Sequence, residues 1–124
     1  MFTCQVVPEI EFPGHAVAVL SVFPSLCCTG RPIEKPSAKW GVFHDVFCIG
    51  GDDWTRFLEA VVEEVTELFP SSWIHMGGDE VPLDRWTACP RCNVSTCVLA
   101  MFNDVSTNQN ISIIFCICSI AGSS

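Results

Sequence analysis

A chain of 124 residues has room for one core and not for two complete domains. Apolar residues make up 49% and charged residues 16%, which excludes disorder throughout. Fourteen acidic against six basic side chains give a net charge of −8, the wrong sign for gripping a phosphate backbone, so no nucleic acid partner is expected.

The first residues, Met-Phe-Thr-Cys-Gln-Val-Val-Pro-Glu, carry no basic stretch and no long apolar run, so no signal peptide is expected in this chain. Cys4 to Ile10 is rich in Val and Ile and reads as a strand in spite of Pro8. Pro13-Gly14 then punctuates the chain before a helical stretch from His15 to Phe23. Pro24 to Gly51 holds three prolines and four glycines and reads as a long loop, functional or disordered. Asp53 to Phe69 is an amphipathic helix: Trp54, Phe57, Leu58, Val61, Val62, Val65, Leu68 and Phe69 fall on one face, and Glu59, Glu63, Glu64 and Glu67 on the other. Asp52 or Asp53 is its expected N-cap, and Pro70 with Ser71 and Ser72 ends it. Trp73 to Met76 is a short apolar strand closed by Gly77-Gly78.

Residues 93–124 contain one charged side chain, Asp104, and lack the alternation that lets an element bury one face. The expected division is therefore residues 1–92 as the folded unit and residues 93–124 as an uncharged tail foreign to it, which is what a partial or mis-spliced gene would give. Two N-x-S sequons, Asn93-Val94-Ser95 and Asn110-Ile111-Ser112, fall in that tail. Its apolar run from Ile111 to Ile120 is about ten residues, short of the ~20 that span a bilayer, so no membrane partner is expected. Strands joined by helical crossovers point to an α/β fold.

Two polar clusters follow the two strands: Glu9-Ile10-Glu11-Phe12-Pro13-Gly14-His15 and His75-Met76-Gly77-Gly78-Asp79-Glu80-Val81-Pro82. In parallel α/β folds the loops after the strands converge, and sites are built on that edge. Asp79 and Glu80 are adjacent carboxylates at a strand end. They repel one another and lose hydration, which prepares one of them to hold a proton and suits glycosidic bond cleavage. A solvated turn capping the next helix is the alternative for this pair.

Val7-Pro8-Glu9-Ile10-Glu11-Phe12-Pro13-Gly14-His15-Ala16, then Trp40-Gly41-Val42-Phe43 with Asp45-Val46, then Ile74-His75-Met76-Gly77-Gly78-Asp79-Glu80-Val81-Pro82 together resemble glycoside hydrolase family 20, the β-N-acetylhexosaminidases. The resemblance covers about residues 3–92 and implies two strands, with their helices, of a (β/α)8 barrel. It implies substrate-assisted retaining hydrolysis of glycans ending in N-acetylglucosamine or N-acetylgalactosamine, without a cofactor. Glu80 would be the general acid/base, Asp79 the group that orients the acetamido, His15 the support of the acid/base carboxylate, and Glu11 structural support nearby. His75 is expected to pack inside the barrel. Trp40, Trp73 and Trp86 could stack on sugar rings, with core packing as the alternative. The family's location implies a lysosomal or secreted parent protein. A barrel needs about 250 residues, and the chain has no Tyr for the sugar pocket, so this piece alone is expected to be inactive.

Nine cysteines leave an odd thiol. Cys89-Pro90-Arg91-Cys92 with Cys97, Cys116 and Cys118 suggests zinc, but the downstream pair is a C-x-C in an apolar run, so no metal is expected. Cys27 or Cys28 with Cys48 could close a disulfide across the long loop if the parent is exported. The rival to an enzyme is a small non-catalytic module that uses these cysteines to bind metal or a partner.

Overall fold

The computed structural model describes residues 4–92 and the segments 112–114 and 119–120. Helix α1 spans Val17–Val22, α2 Asp53–Leu68 and α3 Asp84–Ala88. Strand β1 spans Trp73–His75, β2 Val81–Pro82, β3 Ser112–Ile114 and β4 Ser119–Ile120. β1 pairs with β3 and β2 with β4, both in parallel, and residue 9 bridges residue 75 in parallel as well. Parallel pairing across long connections makes this an α/β arrangement. The sequons, Cys97, Cys116 and Cys118 lie outside the described residues.

The first expected strand begins later than its composition suggests. The Pro8 carbonyl accepts from the His75 N–H (2.9 Å), and the N–H groups of Ile10 and Phe12 donate to the carbonyls of His75 (2.8 Å) and Met76 (3.1 Å). Pro8 has no N–H to offer, so the ladder starts from its carbonyl, and Cys4 to Val7 stay exposed. The helix expected from His15 starts at Val17, because His15 itself is left-handed at φ 50°.

α2 matches its pattern, with Trp54, Leu58 and Val62 buried. Its last turn differs: Leu68 is 68% exposed, since core contact along this face ends at Val65. Asp52 holds the N-cap position but makes no side-chain cap hydrogen bond. Phe12 joins the layers. Its ring stacks on Trp54 (centroids 5.3 Å apart) and meets Phe47 at 5.0 Å, while Phe47 meets Phe57 at 5.8 Å.

The region read as a long loop contributes to the core at its two ends, Leu26-Cys27 and Val46 to Ile49. Val46, Phe47, Cys48 and Ile49 are all buried, forming a strap through the middle of the molecule. Its backbone polar groups find partners: Phe47 N–H donates to Pro13 C=O (3.0 Å) and Cys48 N–H to Leu26 C=O (2.7 Å). The indole Nε1 of Trp86 donates to Phe47 C=O at 2.7 Å. Satisfied backbone is the condition for burying a segment without regular structure. At the edge of the strap, His44 Nδ1 lies 3.1 Å from Asp84, and Arg85 Nε lies 3.0 Å from Asp45 in an ion pair without hydrogen-bond alignment.

Trp86→Phe keeps most of the ring volume and leaves the Phe47 carbonyl without its donor, so it should cost about 1–3 kcal/mol in urea unfolding. Trp40→Ala, at a residue 98% exposed, should change stability by no more than about 0.5 kcal/mol. Equal losses from the two would contradict the role given to the strap.

Candidate active site

The site is made by two turns brought side by side. Pairing of residues 8–12 with β1 carries both segments off the same edge, one into Pro13-Gly14-His15 and the other into Gly77-Gly78-Asp79-Glu80. A Cβ on Gly14 would touch the backbone oxygens of Asp79 and Glu80 and the side chain of Val81 at 3.4–3.8 Å, so the turns are in van der Waals contact. Gly77 (φ 62°) and Gly78 (φ 98°) take left-handed backbone there. A side chain on Gly77 would collide with the Glu11 carboxylate.

This arrangement collects the residues expected from the sequence. His15 Nε2 lies 3.4 Å from Glu80 Oε2, and ligand-capable atoms of His15, Asp79 and Glu80 all lie within 4.8 Å of one another. Glu80, like His15, has left-handed backbone (φ 51°), so the two ends of this contact are both conformationally unusual non-glycine residues. Glu11 stands beside them. Partial burial, then the Asp79 carboxylate, raise its pKa above the ordinary carboxylate range, against the opposing pull of His15.

His75 is half-buried and not a pure packing residue. Its Nδ1 is 3.0 Å from Glu9 Oε1 and 3.1 Å from the Gly77 N–H. A protonated Nδ1 donates to Glu9, whereas a bare one accepts from Gly77, so the two contacts belong to different tautomers. Glu9 is the residue of this group to which the sequence reading gave no role; its position two residues before Glu11, on the same side of an extended segment, was the available signal. Of the three tryptophans considered for sugar stacking, Trp86 is core, while Trp40 and Trp73 are exposed.

A second cluster lies on the strap. Sγ atoms of Cys28, Cys48, Cys89 and Cys92 all lie within 4.8 Å of one another. The four are thiols, as are Cys4 and Cys27, so the disulfide expected across the loop is not formed. Among the described residues, the partners of Cys89 and Cys92 are the upstream Cys28 and Cys48. Burial opposes ionisation of Cys89, but the backbone N–H groups of Arg91 and Cys92 and the thiols of Cys92 and Cys48 outweigh it and bring its pKa down to about 7. Burial and then Cys48 push Cys92 up to about 12.

Glu11 gives the stability a testable pH dependence. As pH rises through the carboxylate range, Glu11 ionises first in the unfolded chain, which then binds fewer protons than the folded one, so stability falls with pH over that window. Glu11→Gln should flatten this fall in urea unfolding compared between acid and neutral pH. The effect is small because the side chain is largely exposed. Parallel pH profiles for the two proteins would remove the assignment.

Comparison with known proteins gives the family. The sequence profile of the glycosyl hydrolase family 20 catalytic domain matches residues 2–112. A beta-hexosaminidase of Porphyromonas gingivalis (strain W83) is 52% identical over 87 residues, which are 70% of this chain and 11% of that protein. One from Akkermansia muciniphila is 32% identical over 97 residues, 78% of this chain and 20% of that protein. Among solved structures, a beta-N-acetylhexosaminidase superposes with a TM-score of 0.69 at 31% identity, over 80% of this chain and 21% of its own. That of Bacteroides fragilis superposes with a TM-score of 0.59 at 42% identity, over 71% and 16%. The chain thus spans between a tenth and a fifth of the length of these two curated relatives. The family profile covers most of the chain, and the chain belongs to glycosyl hydrolase family 20.

Proposed function

We propose that this chain is the part of a (β/α)8 barrel that carries the acid/base machinery of a β-N-acetylhexosaminidase. The observation that carries the reading is the convergence of His15, Asp79 and Glu80 where two parallel extended segments end. Glu80 protonates the departing glycosidic oxygen while the substrate's own acetamido oxygen attacks the anomeric carbon, giving an oxazolinium ion. Water then opens that ring as Glu80 takes back a proton. Asp79 holds the acetamido group and stabilises the positive charge that grows on its nitrogen. Because the nucleophile belongs to the substrate, the carboxylates need not face each other across the sugar at about 5 Å, as in ordinary retaining sites, and can be neighbours in sequence.

His15 acts through Glu80, holding its carboxylate at 3.4 Å, and Glu11 fills the space that Gly77 leaves beside Asp79. The substrates are glycans ending in N-acetylglucosamine or N-acetylgalactosamine, met in a lysosome or outside the cell. The names of the relatives, all beta-hexosaminidases, support this chemistry. The cysteine-rich module is not a competing reading, since Cys28, Cys48, Cys89 and Cys92 all lie within the residues that match the family.

Residues 1–124 alone should hydrolyse a chromogenic N-acetylglucosaminide barely above background, for want of the remaining walls of a sugar pocket. Grafted in place of the 87 residues they match in the Porphyromonas gingivalis enzyme, the matching residues of this chain should restore turnover. In that chimera Glu80→Gln should lower kcat by about 100- to 10,000-fold, and Asp79→Asn should also lower kcat more than it raises KM. A folded chimera that keeps full activity with Glu80→Gln would refute the acid/base role.

A further inference from the structure

We propose that Cys28, Cys48, Cys89 and Cys92 bind one zinc ion as four thiolates, and that this ion ties the 46–49 strap to the turn at residues 89–92. Zinc thiolate bonds of about 2.3 Å in a tetrahedron place neighbouring sulfurs about 3.8 Å apart. The sulfurs here stand at that spacing: Cys28 to Cys92 is 3.8 Å, Cys48 to Cys89 is 3.8 Å and Cys48 to Cys92 is 3.6 Å. Disulfide-bonded sulfurs sit at about 2.05 Å. Four sulfurs each near the other three are the corners of a cage, whereas two disulfides would draw them into pairs.

The surroundings fit the same assignment. Cys48, Cys89 and Cys92 are buried and Cys28 is partly so, which suits a closed structural site without an open coordination position. Thiols are weak hydrogen-bond donors, so four of them packed together gain little from one another. Cys89-Pro90-Arg91-Cys92 has the two-residue spacing of a metal-binding turn, closed by a hydrogen bond from Cys92 N–H to Cys89 C=O (3.1 Å). Gly50 packs so closely on the backbone of Arg91 and Cys92 that no side chain fits there. Arg91 donates to Cys27 C=O at 3.3 Å, holding the turn against the neighbour of Cys28. An all-sulfur tetrahedral donor set selects zinc over the oxygen-seeking ions. Binding is redox-neutral: each thiol gives its proton to solvent as its bond to zinc forms.

The test is metal analysis of the full chain purified under reducing conditions without chelator. One zinc per chain is expected, falling below about a tenth in Cys89→Ser and in Cys92→Ser and unchanged in Cys4→Ser, whose thiol is exposed and outside the cluster. Since a buried Cys→Ser change can prevent folding, the unsubstituted chain is also stripped and titrated with cobalt. Strong visible bands of tetrahedral thiolate cobalt, bleached by added zinc, are expected. Absence of those bands, zinc retained by both variants, or a disulfide among the four cysteines in the freshly purified chain would overturn the site. None of these readouts depends on hydrolysis, so they stand or fall apart from the enzymatic assignment.

Discussion

Three backbone hydrogen bonds between residues 8–12 and residues 75–76 decide where the candidate site forms. Each is worth about 0.5–1.5 kcal/mol net, and their larger effect is on register. A shift by one residue would turn Glu11 and Ile10 to opposite faces and part the Pro13-Gly14 turn from Gly77-Gly78. With the register as it is, two segments more than sixty residues apart in sequence end together, and their following turns touch. The carboxylates and the histidine meet because the strands stop at the same level.

The strap formed by residues 46–49 extends that constraint through the core. Phe47 lies on Phe12, donates its N–H to Pro13 and accepts from Trp86, so one residue joins the first turn, the aromatic cluster and α3. Cys48, next to it, faces the cysteine cluster. Phe47 in turn is hydrogen-bonded to the Pro13 carbonyl, two residues before His15. The Phe47 contacts thus stand between the cysteine cluster and the turn that carries His15.

Much of this was legible in the residues. The apolar spacing of α2 and the Gly-Gly-Asp-Glu turn after a short apolar strand both occur where the pattern places them, since local periodicity and turn chemistry depend on near neighbours. The role of Val46 to Ile49 was not legible, because four consecutive buried residues between Asp45 and Gly50 have no periodicity to distinguish them from a loop. The cysteine partners were hidden for a related reason: Cys48 and Cys89 are 41 positions apart, and Cys28 and Cys92 are 64 apart. Spacing rules favour the nearer C-x-C. Beyond residue 92, the backbone of residues 112–114 pairs in parallel with β1.

The left-handed backbone of His15 and Glu80 is where fold and chemistry bear on each other most directly. A non-glycine residue in that conformation costs about 1–2 kcal/mol, and here two occur on opposite sides of one contact. Gly77 and Gly78 take the same region without that penalty, which lets the chain reverse tightly enough to set Asp79 and Glu80 against Gly14. What holds the two strained residues is the packing on either side: Pro13 and Gly14 are buried before His15, and Val81 is buried after Glu80. Relaxing either backbone would swing its side chain away from the other and break the 3.4 Å contact. The strain is therefore sustained by the same buried neighbours that define the two turns, and the position of the Glu80 carboxylate is a property of the core before it is a property of the site.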